Sequence, residues 1–405
     1  MRDLGPILRA MLRNKTGALL IAIQIAVTMT IIVNAVFIIQ QRIELMARAS
    51  GVDEANTFYL SSVGFADDFN AKTTVLEDLA ALRSLPGVVD AIQTNAVPMS
   101  GSGWSMGLQT EPGEEFDGTG VAVYMIDDHG LNTLDLELVA GRNFTPQDIL
   151  WREPAARNWP DIVIVTQAVA EALFPDTPVA DVVGKTVYIN DDESINIVGI
   201  VDKLQAPWVG WGAVERAMLS PERTLFNSAQ YLIRTQPGQR DILMPQIEEM
   251  LASSNKGRII NNLNTIEDTR ERSYRRHSAM ITILITVMVT LTLVTAAGIV
   301  GLSSFTVNKR RKQIGTRRAL GATRGDILRY FMLENLLISS VGITLGLILT
   351  IGLNMVLVNR FEMERLDWFY LPLGMAALWL LGQLAVLGPA SRAAAIPPAV
   401  ATRTV

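Results

Sequence analysis

The 405-residue chain has no cysteine and only two histidines, His129 and His277. A disulfide framework, a thiolate nucleophile and a Cys-based metal site are therefore excluded. The two histidines lie far apart in sequence, which argues against a His-rich metal centre. A phosphate-binding loop is also missing. Gly184-Lys185-Thr186 ends like G-x-x-x-x-G-K-[ST], but Val179 stands where the first glycine belongs. A strand, Val187–Asn190, is expected after it where the motif needs a helix. The chain is thus not expected to hydrolyse ATP. No G-x-S-x-G or comparable nucleophile setting occurs, so no catalytic residue is assigned. Asp127-Asp128-His129 and Asp191-Asp192-Glu193 read as solvated carboxylate-rich turns, and no metal is expected at either.

Long apolar runs, in contrast, are plentiful. A helix needs about 20 apolar residues to cross ~30 Å of hydrocarbon at ~1.5 Å per residue. Four segments qualify: 17–39, 278–307, 335–358 and 368–391. Gln24, Asn34, Asn354 and Gln383 inside them are expected to face neighbouring helices. Ala47-Arg48-Ala49 resembles a signal-peptide cleavage site. The apolar run before it is longer than a ~7–15-residue signal core and the site lies too deep, so a retained anchor is expected.

Orientation follows from Lys and Arg near the span ends. Arg2, Arg9, Arg13 and Lys15 precede the first span. The loop 308–334 is strongly basic, and Arg392 and Arg403 follow the fourth span. These place the termini, 1–16 and 392–405, and the basic loop on the cytoplasmic side. The short loop 359–367 balances Arg360 and Arg365 against Glu362, Glu364 and Asp367. Residues 40–277 would then lie outside, with 19 Lys plus Arg against 34 Asp plus Glu. Arg275 and Arg276 are local exceptions, which a long translocated domain tolerates.

That outer segment reads as mixed α and β. A helix is expected over 70–84, with Leu76, Leu79 and Leu82 at helical spacing and Pro86-Gly87 as its stop. Strands are expected at 88–94, 121–126, 161–166, 185–190, 195–202 and 231–235, and helices at 167–174 and 242–252. The order suggests an outer layer built from both ends, with an inserted lobe at about 120–222. The run Pro207–Glu222 breaks the pattern. Its Trp208 and Trp211 either cover part of the core or form a contact loop, and packing is the favoured alternative.

The loop between the second and third spans carries more than charge. Asn308–Phe331 reads NKRRKQIGTRRALGATRGDILRYF. Ile314, Ala319, Leu320 and Ala322 form a small apolar set between basic clusters, and Gly315 and Gly321 permit close approach or a turn. Thr323 with Asp326 makes a helix start, and Ile327, Leu328, Phe331 and Met332 give an apolar stripe to an amphipathic elbow. Glu334, at the mouth of the third span, is expected to pair with a basic neighbour such as Arg329 or Lys312. Ala297-x-x-x-Gly301 and Gly342-x-x-x-Gly346 are patterns suited to close helix contact.

The stretch from Lys309 to Asn354, with its core Ile314–Thr323, resembles the signature of MacB/FtsX-type ABC permeases. The ending Pro389–Arg403 is similar to that family's, except at Ala401-Thr402, where leucine is usual. Leu85-Pro86-Gly87-Val88, Gly141–Phe144, Val183–Lys185 and Ile197–Val201 resemble its periplasmic core. The resemblance implies an α-helical membrane protein with four transmembrane helices and an α+β two-lobed periplasmic domain between helices one and two. It implies a bacterial inner membrane, a second permease copy (identical or paired), and an ATPase expected on a separate cytoplasmic subunit with its own ATP and Mg. A periplasmic adaptor is a further implied partner; nucleic acid is not. Ile314, Gly315, Arg317, Arg318, Ala319, Leu320, Gly321, Ala322 and Thr323 would form the ATPase-coupling element. Export or efflux is the expected use. A scaffold that activates a periplasmic partner such as a cell-wall hydrolase, or a lipoprotein-release permease, is the alternative.

Overall fold

The computed structural model describes residues 15–113, 118–190, 192–361 and 364–398. Arg2, Arg9, Arg13, Asp191, Glu362, Ala401, Thr402 and Arg403, used above, lie outside the described residues. Two compact units emerge: Met1–Ala47 with His277–Val405, and Arg48–Arg276.

In chain order the elements begin with α1 (Lys15–Met46), β1 (Thr57–Gly64), α2 (Ala71–Ser84), β2 (Val88–Thr94), β3 (Trp104–Leu108), β4 (Thr119–Ile126), α3 (Gly130–Leu134), β5 (Leu138–Gly141) and β6 (Leu150–Arg152). There follow β7 (Ile162–Thr166), α4 (Gln167–Leu173), β8 (Thr186–Ile189), β9 (Glu193–Val201), β10 (Ala217–Thr224), β11 (Ser228–Thr235), α5 (Arg240–Ser254) and β12 (Arg258–Thr265). The chain then enters α6 (Ile266–Lys309), α7 (Arg311–Ala319), α8 (Arg324–Phe361) and α9 (Tyr370–Ala394).

Helices α1, α6, α8 and α9 are long and apolar enough to cross a membrane. Helical backbone satisfies its own hydrogen bonds, which lipid cannot do for it. On α1, Ile21, Ile25, Met29, Val33 and Phe37 recur every four residues and are buried against Ile343, Leu378, Val386 and Tyr370. Spacing by four keeps one face of a helix turned to its neighbours. Polar residues on α1 are used between helices: Thr28 bonds Thr295 at 2.8 Å, and Gln24 donates to the Val294 carbonyl at 3.0 Å. At 44 residues, α6 is about 66 Å long, roughly twice the hydrocarbon thickness.

The inserted unit holds two sheets. The smaller is antiparallel, in the order β12-β1-β11-β2. Helices α2 and α5 back it through Val75, Leu79, Leu82, Leu243, Ile247 and Leu251. Leu76, expected on that face, is exposed, and Val75 takes its place because the buried stripe continues by four residues from Leu79. Asn70 caps α2, its side chain accepting from the Thr73 N–H at 3.0 Å. Inside, Asp78 accepts hydrogen bonds from Arg258 and from the Tyr231 hydroxyl, and burial pushes the Tyr231 phenol well above its ordinary pKa.

The larger sheet is mixed, in the order β3-β4-β10-β7-β9-β5, with β6 beside β10 and β8 beside β9. Val121, Val123, Val163, Val165, Ile197 and Met218 fill its core. Its first strand, β3, precedes the boundary near 120 expected from sequence, so the inserted lobe begins near Trp104. The run Pro207–Glu222, which breaks the sequence pattern, contains the first part of β10, an inner strand. Pro221 has no N–H to donate. It sits where β10 ends its pairing with β4 and passes to β6 at Glu222, so the ladder tolerates it. Trp208 and Trp211 meet edge to face at 5.7 Å, and Trp211 lies against Gly120, where a Cβ would come within 2.9 Å of its ring. Both are half-buried packing residues.

Candidate functional site

The loop between the second and third membrane helices is a built structure. Helix α6 ends at Lys309, and Arg310 leaves helical geometry (φ −96°, ψ 12°) before α7 starts. Nine residues later α7 closes in a Schellman turn: the Ala322 N–H reaches the Arg317 carbonyl at 3.0 Å, and the Gly321 N–H that of Arg318 at 3.2 Å. Gly321 takes φ +102°, which a side chain would strain. Thr323 and Asp326 then cap α8 reciprocally. The Thr323 N–H and hydroxyl both donate to Asp326 Oδ2, at 2.8 and 2.6 Å, and the Asp326 N–H donates to Thr323 Oγ1 at 3.2 Å. The amphipathic elbow, expected to lie in the membrane interface before merging with the third span, does merge with it. It is the first turns of α8, and its Ile327 and Phe331 are buried against protein.

Of the nine candidate residues, Ile314 (4 % exposed) and Gly315 are buried; Ile314 packs with Val307, Ile327, Phe331, Ala390 and Ala393. Arg318 and Ala322 are half-buried, joined by a hydrogen bond from Arg318 Nη1 to the Ala322 carbonyl at 3.1 Å. Arg317, Ala319, Leu320, Gly321 and Thr323 are exposed. Leu320, at 83 %, is the most exposed large apolar side chain among the described residues. Basic residues Arg317 and Arg318 precede it and Arg324 follows it in sequence, and the Arg317 guanidinium lies 4.7 Å from the Tyr330 ring centre. An anchored helix ending in an apolar knob among cations has the chemistry of a protein contact: a leucine gains nothing in water and a groove on a partner can take it.

Glu334 pairs with a basic neighbour as expected, though with neither Arg329 nor Lys312. Its partner is Arg310, whose Nη1 lies 3.0 Å from both carboxylate oxygens and 3.4 Å from the Tyr330 hydroxyl. Arg329 stands five residues away on the same helix, about 140° around it at ~3.6 residues per turn, and is exposed, as is Lys312. Spacing within one helix could not show the Arg310 contact, which closes across the break between helices.

The two small-residue patterns part company. At Gly342 a Cβ would come within 2.7 Å of the Ala22 carbonyl, and at Gly346 within 2.9 Å of Met29 Cβ, so α1 and α8 meet there closely. Ala297 and Gly301 are exposed, and nothing lies within 4 Å of a Cβ at Gly301. Gly298, one residue along, meets Gln24 instead. Within this chain the contact face of α6 is therefore rotated from the expected one.

Among the described residues, no group of three or more His, Asp or Glu could hold a metal ion. Asp127-Asp128-His129 is not the solvated turn expected. Asp127 is fully buried and accepts from Arg83 at 2.8 Å and Arg223 at 2.7 Å. His129 and Asn132 both reach Asp90, at 3.0 and 2.8 Å. These ions tie α2 and β2 to β10 and the end of β4, a structural junction that contacts distant in sequence had hidden.

Four membrane-length helices, with a two-sheet domain after the first and a basic helix between the second and third, define the architecture of a polytopic membrane protein. The MacB-like periplasmic core domain matches residues 16–253, and the FtsX-like permease C-terminal domain matches residues 285–398. The chain belongs to this family of ABC transporter permeases. The permease YknZ of Bacillus subtilis strain 168 is 25% identical over 347 residues, 82% of this chain and 80% of that protein. The macrolide export ATP-binding/permease protein MacB of Campylobacter jejuni strain 81-176 is 24% identical over 352 residues, 83% of this chain and 50% of that one. MacB of Neisseria gonorrhoeae strain FA 1090 is 23% identical over 392 residues, 93% and 55%. The chain thus spans about half the length of the MacB relatives. The crystal structure of the YknZ extracellular domain overlaps 50% of this chain and 100% of that one at 16% identity and a TM-score of 0.32.

Proposed function

We propose that the chain is a permease subunit that couples ATP hydrolysis on a separate ATPase subunit to motion of its periplasmic domain, for export or efflux. The observation that carries this is the α7 element: Ile314 roots it in the membrane unit while Leu320 and its basic neighbours face outward. Closure of the ATPase, holding its own ATP and Mg, would push on α7. Because α7 joins α6 through Arg310 and α8 through the Gly321–Thr323 turn, that push reaches two membrane helices at once. Helix α6 contributes residues to both units without a break and serves as the transmitting rod. Basic loop and termini lie in the cytoplasm of a bacterial inner membrane, and a second permease copy completes the pair. The MacB relatives are named for macrolide export; export is carried over here, the macrolide is not. A mild-detergent purification of the tagged chain tests the proposal. A stoichiometric ATPase in the eluate supports it; a chain recovered alone, or with a hydrolase and no ATPase, overturns it.

A further inference from the structure

A cavity of about 250 Å³ lies within the membrane unit, between the start of α1, the end of α6 and α8. Its wall is largely apolar, from Leu20, Ile21, Leu302, Phe305 and Val386, and one end holds Arg310, Glu334 and Asn335. Pockets that enclose a whole small molecule run to roughly 300–1,000 Å³, so this one suits part of a longer amphiphile.

The polar end has donors to spare. Arg310 spends only Nη1 on Glu334 and Tyr330; its Nε and Nη2 have no partner among the described residues and are not sealed off. Asn335 also lines that end, but its amide Nδ2 is sealed off and turned toward Gly382, 3.2 Å from where a Cβ there would stand, so Arg310 is the donor that the cavity offers. A guanidinium with accessible N–H groups at the end of an apolar cavity favours a hydrogen-bond acceptor there. Lys309, Arg311 and Lys312 flank Arg310 and bias the choice toward an anion.

We propose that this cavity binds an anionic phospholipid of the cytoplasmic leaflet, its phosphate on Arg310 and a segment of acyl chain against Leu20, Ile21 and Leu302. The leaflet assignment rests on the topology proposed above; the cavity chemistry does not. Free phosphate would use the donors but leave the apolar wall empty, and a zwitterionic lipid would fill the wall without the net charge.

The full chain, reconstituted in nanodiscs with photoactivatable phosphatidylglycerol or phosphatidylcholine, provides the test, with crosslinks mapped by mass spectrometry. The expected result is crosslinking within Leu302–Thr306, about tenfold stronger for phosphatidylglycerol, the worth of one charge-assisted hydrogen bond. Ser303→Trp, which fills the cavity, and the charge-neutral double variant Arg310→Gln/Glu334→Gln should each abolish the preference. Inorganic phosphate should not compete. Equal labelling by both lipids, labelling confined to lipid-facing positions elsewhere on α6, or displacement by phosphate overturns the proposal. The wild-type crosslink map decides even where a variant fails to fold. ATPase co-purification is read separately, so loss of the coupling account and loss of the lipid site are distinguishable.

Discussion

Arg310 and Glu334 meet at 3.0 Å across the joint where α6 stops and α7 begins, pinning that joint to α8. Both are largely buried, so the charges depend on each other. Removing one partner of a buried pair costs about 3–5 kcal/mol, while replacing both by apolar residues is often close to neutral. Because this pair retains some access to water, Glu334→Ala should cost about 2–3 kcal/mol. Arg310→Leu/Glu334→Leu should recover most of that. Thermal unfolding of the three proteins in one detergent checks the order; a double variant no better than the single one would refute mutual dependence.

Gly321 closes α7 at φ +102° with open space around it. Gly321→Ala therefore meets strain and no clash, costing roughly 1 kcal/mol. The expected outcome is a turn that shifts Leu320 and lowers permease-stimulated ATPase activity several-fold. Gly325→Ala, in the first turn of α8 and without a left-handed φ, should leave that activity unchanged.

The glycines of the membrane unit should sort by contact. Gly346→Leu would drive a side chain into Met29 and Ala26 and should reduce the yield of folded protein sharply. Gly301→Leu, with nothing within 4 Å, should be tolerated by the fold of a single chain. Size-exclusion profiles of the two variants compare them directly.

Legibility in the sequence followed distance along the chain. The four spans, the Gly321 turn and the Thr323–Asp326 cap are set by residues within a few positions of one another. Of the α7 surface, residue order gave the components, but which side chains face out depends on Ile314 finding Ala390 and Ala393 far along the chain. The same holds for Asp127, whose carboxylate looks like surface until Arg83 and Arg223 arrive from 44 and 96 residues away. Strand β12, with sequence RIINNLNT, lacks an apolar run because part of it is exposed, and β10 was masked by Pro221.

Acid should act on the loop after β5. A hydrogen bond from Arg142, joined by two from Thr145, lowers the Asp148 pKa to about 2. A carboxylate depressed in the folded state stabilises above its unfolded value of about 3.9, and that contribution is lost as pH falls toward 2. Arg142 is 49 % exposed, so solvent screening limits the effect to about 1 kcal/mol or less. Stability measured from pH 5 to pH 2 should fall more steeply for wild type than for Asp148→Asn; parallel slopes would contradict the assignment.

The central claim is that α7 is the surface on which an ATPase acts, and the cysteine-free chain offers a direct test. Leu320→Cys supplies a single attachment point for a short photo-crosslinker at the most exposed apolar side chain. In native membranes the account predicts a crosslinked product containing an ATPase subunit, with a yield that changes when ATP is added. A label at position 320 that captures only lipid, while an ATPase co-purifies through some other surface, would contradict it.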